Sequence, residues 1–224
     1  IAGPGNIYVT LAKKEVYGEV GIDMLAGPSE ILIIADSTQN PVYVAADMLS
    51  QAEHDKLARA ILLTFDEEFA QKVAAEAERQ LSLLPRSDIA RCALDSAGGI
   101  ILVKDGKEAC ALANEIAPEH LEIATADCEE LLKEIRNAGA VFLGSYTPEP
   151  VGDYFAGPDH ILPTGGTARF FEVLNADIFL RKMSVIRYSK EAILEDGADI
   201  VRLAESEGLS AHANAVRVRL EGEK

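Results

Sequence analysis

The sequence predicts an α/β fold, a three-layer α/β/α lobe built on a parallel sheet, followed by a C-terminal helical arm. Three observations carry this. From residue 30 to 144, apolar runs of strand length alternate with amphipathic stretches of helix length, the pattern of repeated βαβ units. The clearest run, EILIIAD at 30–36, is apolar without alternation, as a strand buried on both faces must be. After residue 144 the alternation stops, and a long Gly/Pro/Thr/Asp-rich stretch leads into a tail too small to build a core of its own.

Taken in order, residues 7–16 (IYVTLAKKEV) read either as a strand running into a helix or as one helix entered from the Gly3–Pro4–Gly5 turn. Gly27–Pro28–Ser29 is a turn before the strand at 30–36. Asn40 and Pro41 supply an N-cap and a first-turn proline for a helix over 41–53, where Val42, Ala45, Ala46 and Leu49 form its apolar stripe. Strands follow at 59–65, 99–104, 121–124 and 140–144, with helices at 67–83, 107–116 and 128–137 between them. Right-handed crossovers place those helices on both faces of the sheet. Residues 145–168 have no periodicity, and a loop of that length holding aromatics and a histidine points to function. Beyond it lie a helical stretch at 169–174, an apolar segment at 178–188, a helix from Lys190 to about Glu205, and the strand-like AVRVRL at 215–220. The divisions expected are 1–29 as the end of a second α/β lobe, 30–168 as the main lobe, and 169–224 as an arm that packs on another lobe or subunit.

Composition narrows the partners. A net charge of −16 over 224 residues repels phosphate backbones and argues against nucleic acid. No apolar run approaches the ~20 residues of a membrane span. The three cysteines (Cys92, Cys110 and Cys128) are odd in number and form no CxxC pair, which suits free thiols in the cytoplasm. The chain opens at Ile1 inside a Gly/Pro-rich turn, so part of a longer protein is expected to precede it.

The four histidines lie in polar company, in QAEHD, PEHLE, PDHIL and SAHAN. Gln51 and His54, three apart on a helix, present two donors on one face, half of a metal site. Glu119 and His120 follow a helix-ending Pro118 and put a carboxylate beside an imidazole, the parts of an acid/base pair. Asp153 is a hard oxygen donor in the long loop, suited to zinc beside nitrogen ligands or to a plain Asx turn. Thr164–Gly165–Gly166–Thr167 reads as a hinge or an anion cradle. Gly3–Pro4–Gly5–Asn6 is not a dinucleotide fingerprint, because Tyr8 stands where the third glycine belongs.

Six segments in chain order, GPGN (3–6), DMLAGPSE (23–30), SQAEH (50–54), APEHLE (117–122), GDYFAGPDHILPTGGTARF (152–170) and EGLSAHANAV (207–216), strongly resemble the histidinol dehydrogenase family. The resemblance implies a Rossmann-like, aldehyde-dehydrogenase-like lobe. It implies a cytoplasmic oxidoreductase of histidine biosynthesis that takes L-histidinol to L-histidine through an aldehyde, with two NAD and one zinc per subunit. Carried over motif by motif, Gln51, His54, Asp153 and His212 are the implied zinc ligands. Ser29, His120 and Glu207, with those ligands, are the implied substrate contacts, and Asn6 an NAD contact. Glu119 is the implied activator of water and His120 the proton relay. The resemblance also implies a homodimer in which His212 completes the partner's site. No role follows for His160. Ser210 stands where the family often has Thr, and Asp159 where Asn is expected. A thiol route is disfavoured, since no cysteine lies in the motifs. The competing reading is a non-catalytic zinc- or ligand-binding dimerisation module.

Overall fold

The computed structural model describes residues 1–3 and 5–222; Pro4 of the first turn, Glu223 and Lys224 lie outside the described residues. The chain forms two compact units, Ile1–Phe179 and Leu180–Lys224.

The first unit begins with α1 (Ile7–Val16), one helix over that whole stretch. Asn6 caps it, its side-chain oxygen accepting from the N–H groups of Tyr8 and Val9. The sheet then assembles from β1 (Glu30–Ala35), β2 (Arg59–Thr64), β3 (Gly99–Leu102), β4 (His120–Ala124) and β5 (Ala140–Leu143), all parallel, in the order β3-β2-β1-β4-β5. Between them run α2 (Pro41–Ala52), α3 (Glu67–Leu81), α4 (Ser87–Ala97), α5 (Gly106–Ile116) and α6 (Cys128–Leu132).

The central strand explains the unbroken apolar run. Ile31, Ile33 and Ala35 of β1 pack with Val44, Ala45 and Met48 of α2 and with Phe69 and Val73 of α3. Leu32 and Ile34 point the other way, against Ala109, Cys110 and Ala113 of α5 and Leu131 of α6. Side chains alternate across a strand, so a strand covered on both faces needs apolar residues at every position. All six residues of β1 are buried. Full burial of a Leu or Ile side chain is worth about 1.5–3 kcal/mol, which makes this strand the centre of the unit's stability.

Several elements differ from the sequence reading. Helix α4 was not anticipated; it covers Leu49, Ala52 and Leu81 through Ala90 and Ala93. The helix at 128–137 stops at Leu132. Of the expected 169–174 stretch only Arg169 is helical, as the end of a 3₁₀ turn over Thr167–Arg169. AVRVRL is not a strand. It lies in α9 (Ser210–Glu221), which with α8 (Lys190–Ser206) makes the helical hairpin of the second unit. The local Val/Arg alternation masks a stripe at Ala213, Val216, Arg217 and Leu220, the less exposed positions of α9. Among the described residues no helix is long and apolar enough to cross a membrane.

Candidate active site

The site lies at the amino-terminal edge of the sheet. Ser29 enters β1, Glu119 precedes β4, and His120 is its first residue. Helix α2 runs back from the far edge, so its carboxyl end delivers Gln51 and, just past the cap at Glu53, His54. Ala117, which ends α5, is buried and left-handed (φ 51°), a conformation costing a non-glycine residue on the order of 1–2 kcal/mol. It turns the chain sharply into Pro118–Glu119–His120. After β5 the chain returns through the short helix α7 (Glu149–Val151) and a π turn, Gly152–Ala156, which carries Asp153. Gly152 permits this, since a Cβ there would sit 2.7 Å from the ring of Phe142.

These elements enclose a cavity of about 230 Å³, lined by Ser29, Gln51, His54, Glu119, His120 and Asp153 together with Gly5, Glu149, His160 and Thr164. The main chain of Glu30 holds Glu119 and His120: its N–H donates to Glu119 Oε2 at 2.9 Å, and its carbonyl lies 3.0 Å from His120 Nδ1. A carbonyl only accepts, so Nδ1 carries the proton and Nε2 is the free base. Nε2 has no hydrogen-bond partner among the described residues; Glu149 Oε1 is 3.9 Å away. Phe142 flanks the ring at 6.0 Å.

The site is rich in buried carboxyls. Burial pushes Glu119 up to about 8, and the negative neighbours Glu30, Glu149 and Asp153 add to that against the Glu30 N–H bond. Burial raises Glu149 to about 8 as well, helped by its hydrogen bond with Asp153. Burial also lowers His120 and so favours the neutral imidazole. Behind the cavity, burial raises Asp47 of α2 to about 6 and Glu122 of β4 well above its usual range; the two share a hydrogen bond. Glu122 Oε1 accepts the Glu149 N–H at 2.9 Å, which fixes where α7 starts.

Gln51 is fully buried yet lines the cavity, and both its amide oxygen and its amide nitrogen lack hydrogen-bond partners among the described residues. An orphaned buried polar group costs roughly 1–3 kcal/mol, so a ligand that takes up this oxygen fits the site. The His54 imidazole and the Asp153 carboxylate also line the cavity, and the donor set suits zinc. His120, Glu149 and Asp153 also present ligand atoms within 4.8 Å of one another, a second way to hold a cation around Asp153.

The structure thus brings together Ser29, Gln51, His54, Glu119, His120 and Asp153. Asn6 is exposed and caps α1, next to the cavity residue Gly5. Glu207 follows α8 and His212 lies in the first turn of α9, both exposed in the second unit. Glu149 went unnoticed in the sequence; between Pro148 and Pro150 it reads as loop, and only the fold buries it. None of the three cysteines lines the cavity.

The family model described as histidinol dehydrogenase matches residues 1–220. The histidinol dehydrogenase of Carboxydothermus hydrogenoformans is 57% identical over 223 residues, covering 100% of this chain and 52% of that protein. That of Heliobacterium mobile is 60% identical over 221 residues, covering 99% and 52%. A crystal structure of histidinol dehydrogenase from Elizabethkingia anophelis superposes with a TM-score of 0.90 at 45% identity, covering 99% of this chain and 51% of that one. The chain spans about half the length of the curated relatives it matches.

Proposed function

The chain belongs to the histidinol dehydrogenase family, and from that premise we propose that it carries the substrate- and zinc-holding part of a cytoplasmic enzyme that oxidises L-histidinol to L-histidine. The observation that carries the proposal is the convergence of Ser29, Gln51, His54, Glu119, His120 and Asp153, from distant segments, on one cavity. The balance is one primary alcohol, one water and two NAD giving one carboxylate, two NADH and three protons.

Each residue has a task. His120 Nε2, unprotonated and facing the cavity, takes the proton of the carbinol hydroxyl as the first hydride leaves. Glu119, in its charged form, takes a proton from the water that adds to the aldehyde. Ser29 and Glu207 bind and orient the substrate. Gln51, His54 and Asp153, with His212 of a second copy, would hold zinc, which when bound fixes the amino and imidazole nitrogens of histidinol. NAD, when bound, accepts the hydride, and Asn6 would contact it through its amide nitrogen, since its oxygen caps α1. No cysteine takes part.

The test is calorimetric titration of L-histidinol into the protein as its gene encodes it, zinc-loaded and after chelation. Zinc-dependent binding together with NADH formation supports the proposal. Equal binding with and without zinc removes the metal's role, and no binding by the zinc-loaded protein overturns the substrate.

A further inference from the structure

We infer that Glu30 is a positioning residue of the reaction: its side chain, seated in the glycine turn at 164–167, locks the main-chain segment that fixes the His120 tautomer and the Glu119 carboxyl. The inference rests on the roles given above to Glu119 and His120.

Glu30 is 4% exposed and opens β1. Its main chain contacts both members of the pair, the N–H on Glu119 and the carbonyl on His120. Its carboxylate has further partners, the Glu119 N–H among them. Oε1 accepts the Gly165 N–H at 2.8 Å, and the Gly166 N–H is also directed to it. Gly165 and Gly166 are both left-handed, with φ of 62° and 80°. Consecutive N–H groups in such a turn make an anion nest. The TGGT segment is therefore an anion cradle, and the anion is the protein's own. On the outer side, Arg59 Nη1 lies 3.5 Å from Oε2, across the β1–β2 register that pairs Glu30 with Arg59. One turn over, Thr164 Oγ1 accepts the Gly27 N–H at 2.5 Å. The strand entry at 27–30 is thus sewn to the 164–167 turn at two points, and Glu119 and His120 are hydrogen-bonded to that same entry.

Without the nested carboxylate, the strand entry keeps only the Gly27–Thr164 tie to that turn, and the carbonyl that specifies Nδ1–H gains freedom to shift. Glu30→Asp keeps the charge for Arg59 but withdraws the oxygen by one methylene from the nest. Glu30→Gln keeps an oxygen acceptor at full length.

The experiment is ¹⁵N NMR of the histidine rings, with His120 assigned through His120→Asn, alongside histidinol oxidation by the protein as its gene encodes it. The wild type is expected to show His120 as the pure Nδ1–H tautomer. In Glu30→Asp the signature becomes a two-tautomer average and kcat falls about tenfold or more, while KM for histidinol stays within about threefold. Glu30→Gln restores the tautomer and brings kcat to within about threefold of the wild type. A folded Glu30→Asp with unchanged tautomer or unchanged kcat overturns the inference, as does a Glu30→Gln no better than Glu30→Asp. Absence of histidinol oxidation by the wild type overturns the function proposed above, while the ring signature still decides whether Glu30 positions His120.

Discussion

At the scale of single residues, the site combines unpartnered polar groups on Gln51 and His120 with several buried acids. Gln51 has an unpartnered oxygen, so Gln51→Ala should weaken zinc binding by about a hundredfold or more, since losing even a partner of a metal ligand costs about 10–100-fold. Glu149→Gln separates the two ways of holding a cation: affinity near wild type supports the Gln51/His54/Asp153 set, and a loss as large as that of Gln51→Ala favours His120/Glu149/Asp153. Competition titration against a chromogenic chelator reads both. Glu119 supplies the pH dependence. Its carboxyl is raised from 4.5 to about 8 in the folded protein, so between those values the folded state holds a proton that the unfolded chain has released. The metal-free protein should therefore lose stability as pH rises from roughly 5 to 8, by up to about 1.4 kcal/mol per pH unit for each such group. Glu119→Gln should flatten that slope in urea unfolding at a series of pH values; an unchanged slope assigns the protons elsewhere. In the proposed reaction water activation needs the charged form, so the aldehyde-oxidising step should accelerate with rising pH. Most of these residues were legible because they sit in compact motifs. Glu149, Asp47 and Glu122 were not, because nothing local marks a carboxyl that becomes buried only when α2, β4 and the segment after β5 pack together.

At the scale of elements, the sheet was legible where burial dictates composition. β1 had to be apolar at every position after Glu30, and α2 announced itself with Asn40, Pro41 and its stripe. The failures have physical causes. α4 has small apolar residues, Ala90 and Ala93, where it packs, so its core face is quiet in the sequence. In α9 the charges at Arg217 and Arg219 imitate a strand's alternation over six residues, too few to show the helical period. One element contact bears directly on the site. Gly139, entering β5, lies so close to β4 that a Cβ would stand 2.6 Å from the Glu119 carbonyl oxygen. Gly139→Ala should cost about 1–3 kcal/mol in unfolding free energy by overpacking, and should lower kcat more than a surface substitution of equal cost, because the atom that must move belongs to Glu119. Equal stability and unchanged kcat would show that the β5 entry yields instead.

At the scale of the whole molecule, the proposed sharing of sites between copies can be tested by complementation. Asp153→Ala breaks the cavity of its own chain, and His212→Asn breaks what that chain lends to another. Each variant alone should be inactive. Coexpressed, random pairing into dimers leaves one intact site in every mixed dimer, so activity should recover to about a quarter of the wild-type value. No recovery would place His212 at the site of its own chain, or at none.

The location of the cavity has a practical consequence. Open α/β sheets usually bind ligands at the carboxyl ends of their strands, whereas here the chemistry gathers at the amino-terminal ends. Across β1 the opposite edge is six residues away, roughly 20 Å at ~3.3 Å per residue. Ala126, just beyond β4 on that opposite edge, is exposed. A fluorescent reporter or short peptide attached there should follow folding and zinc uptake while leaving histidinol turnover intact, which makes this edge the natural handle for immobilising or imaging the protein.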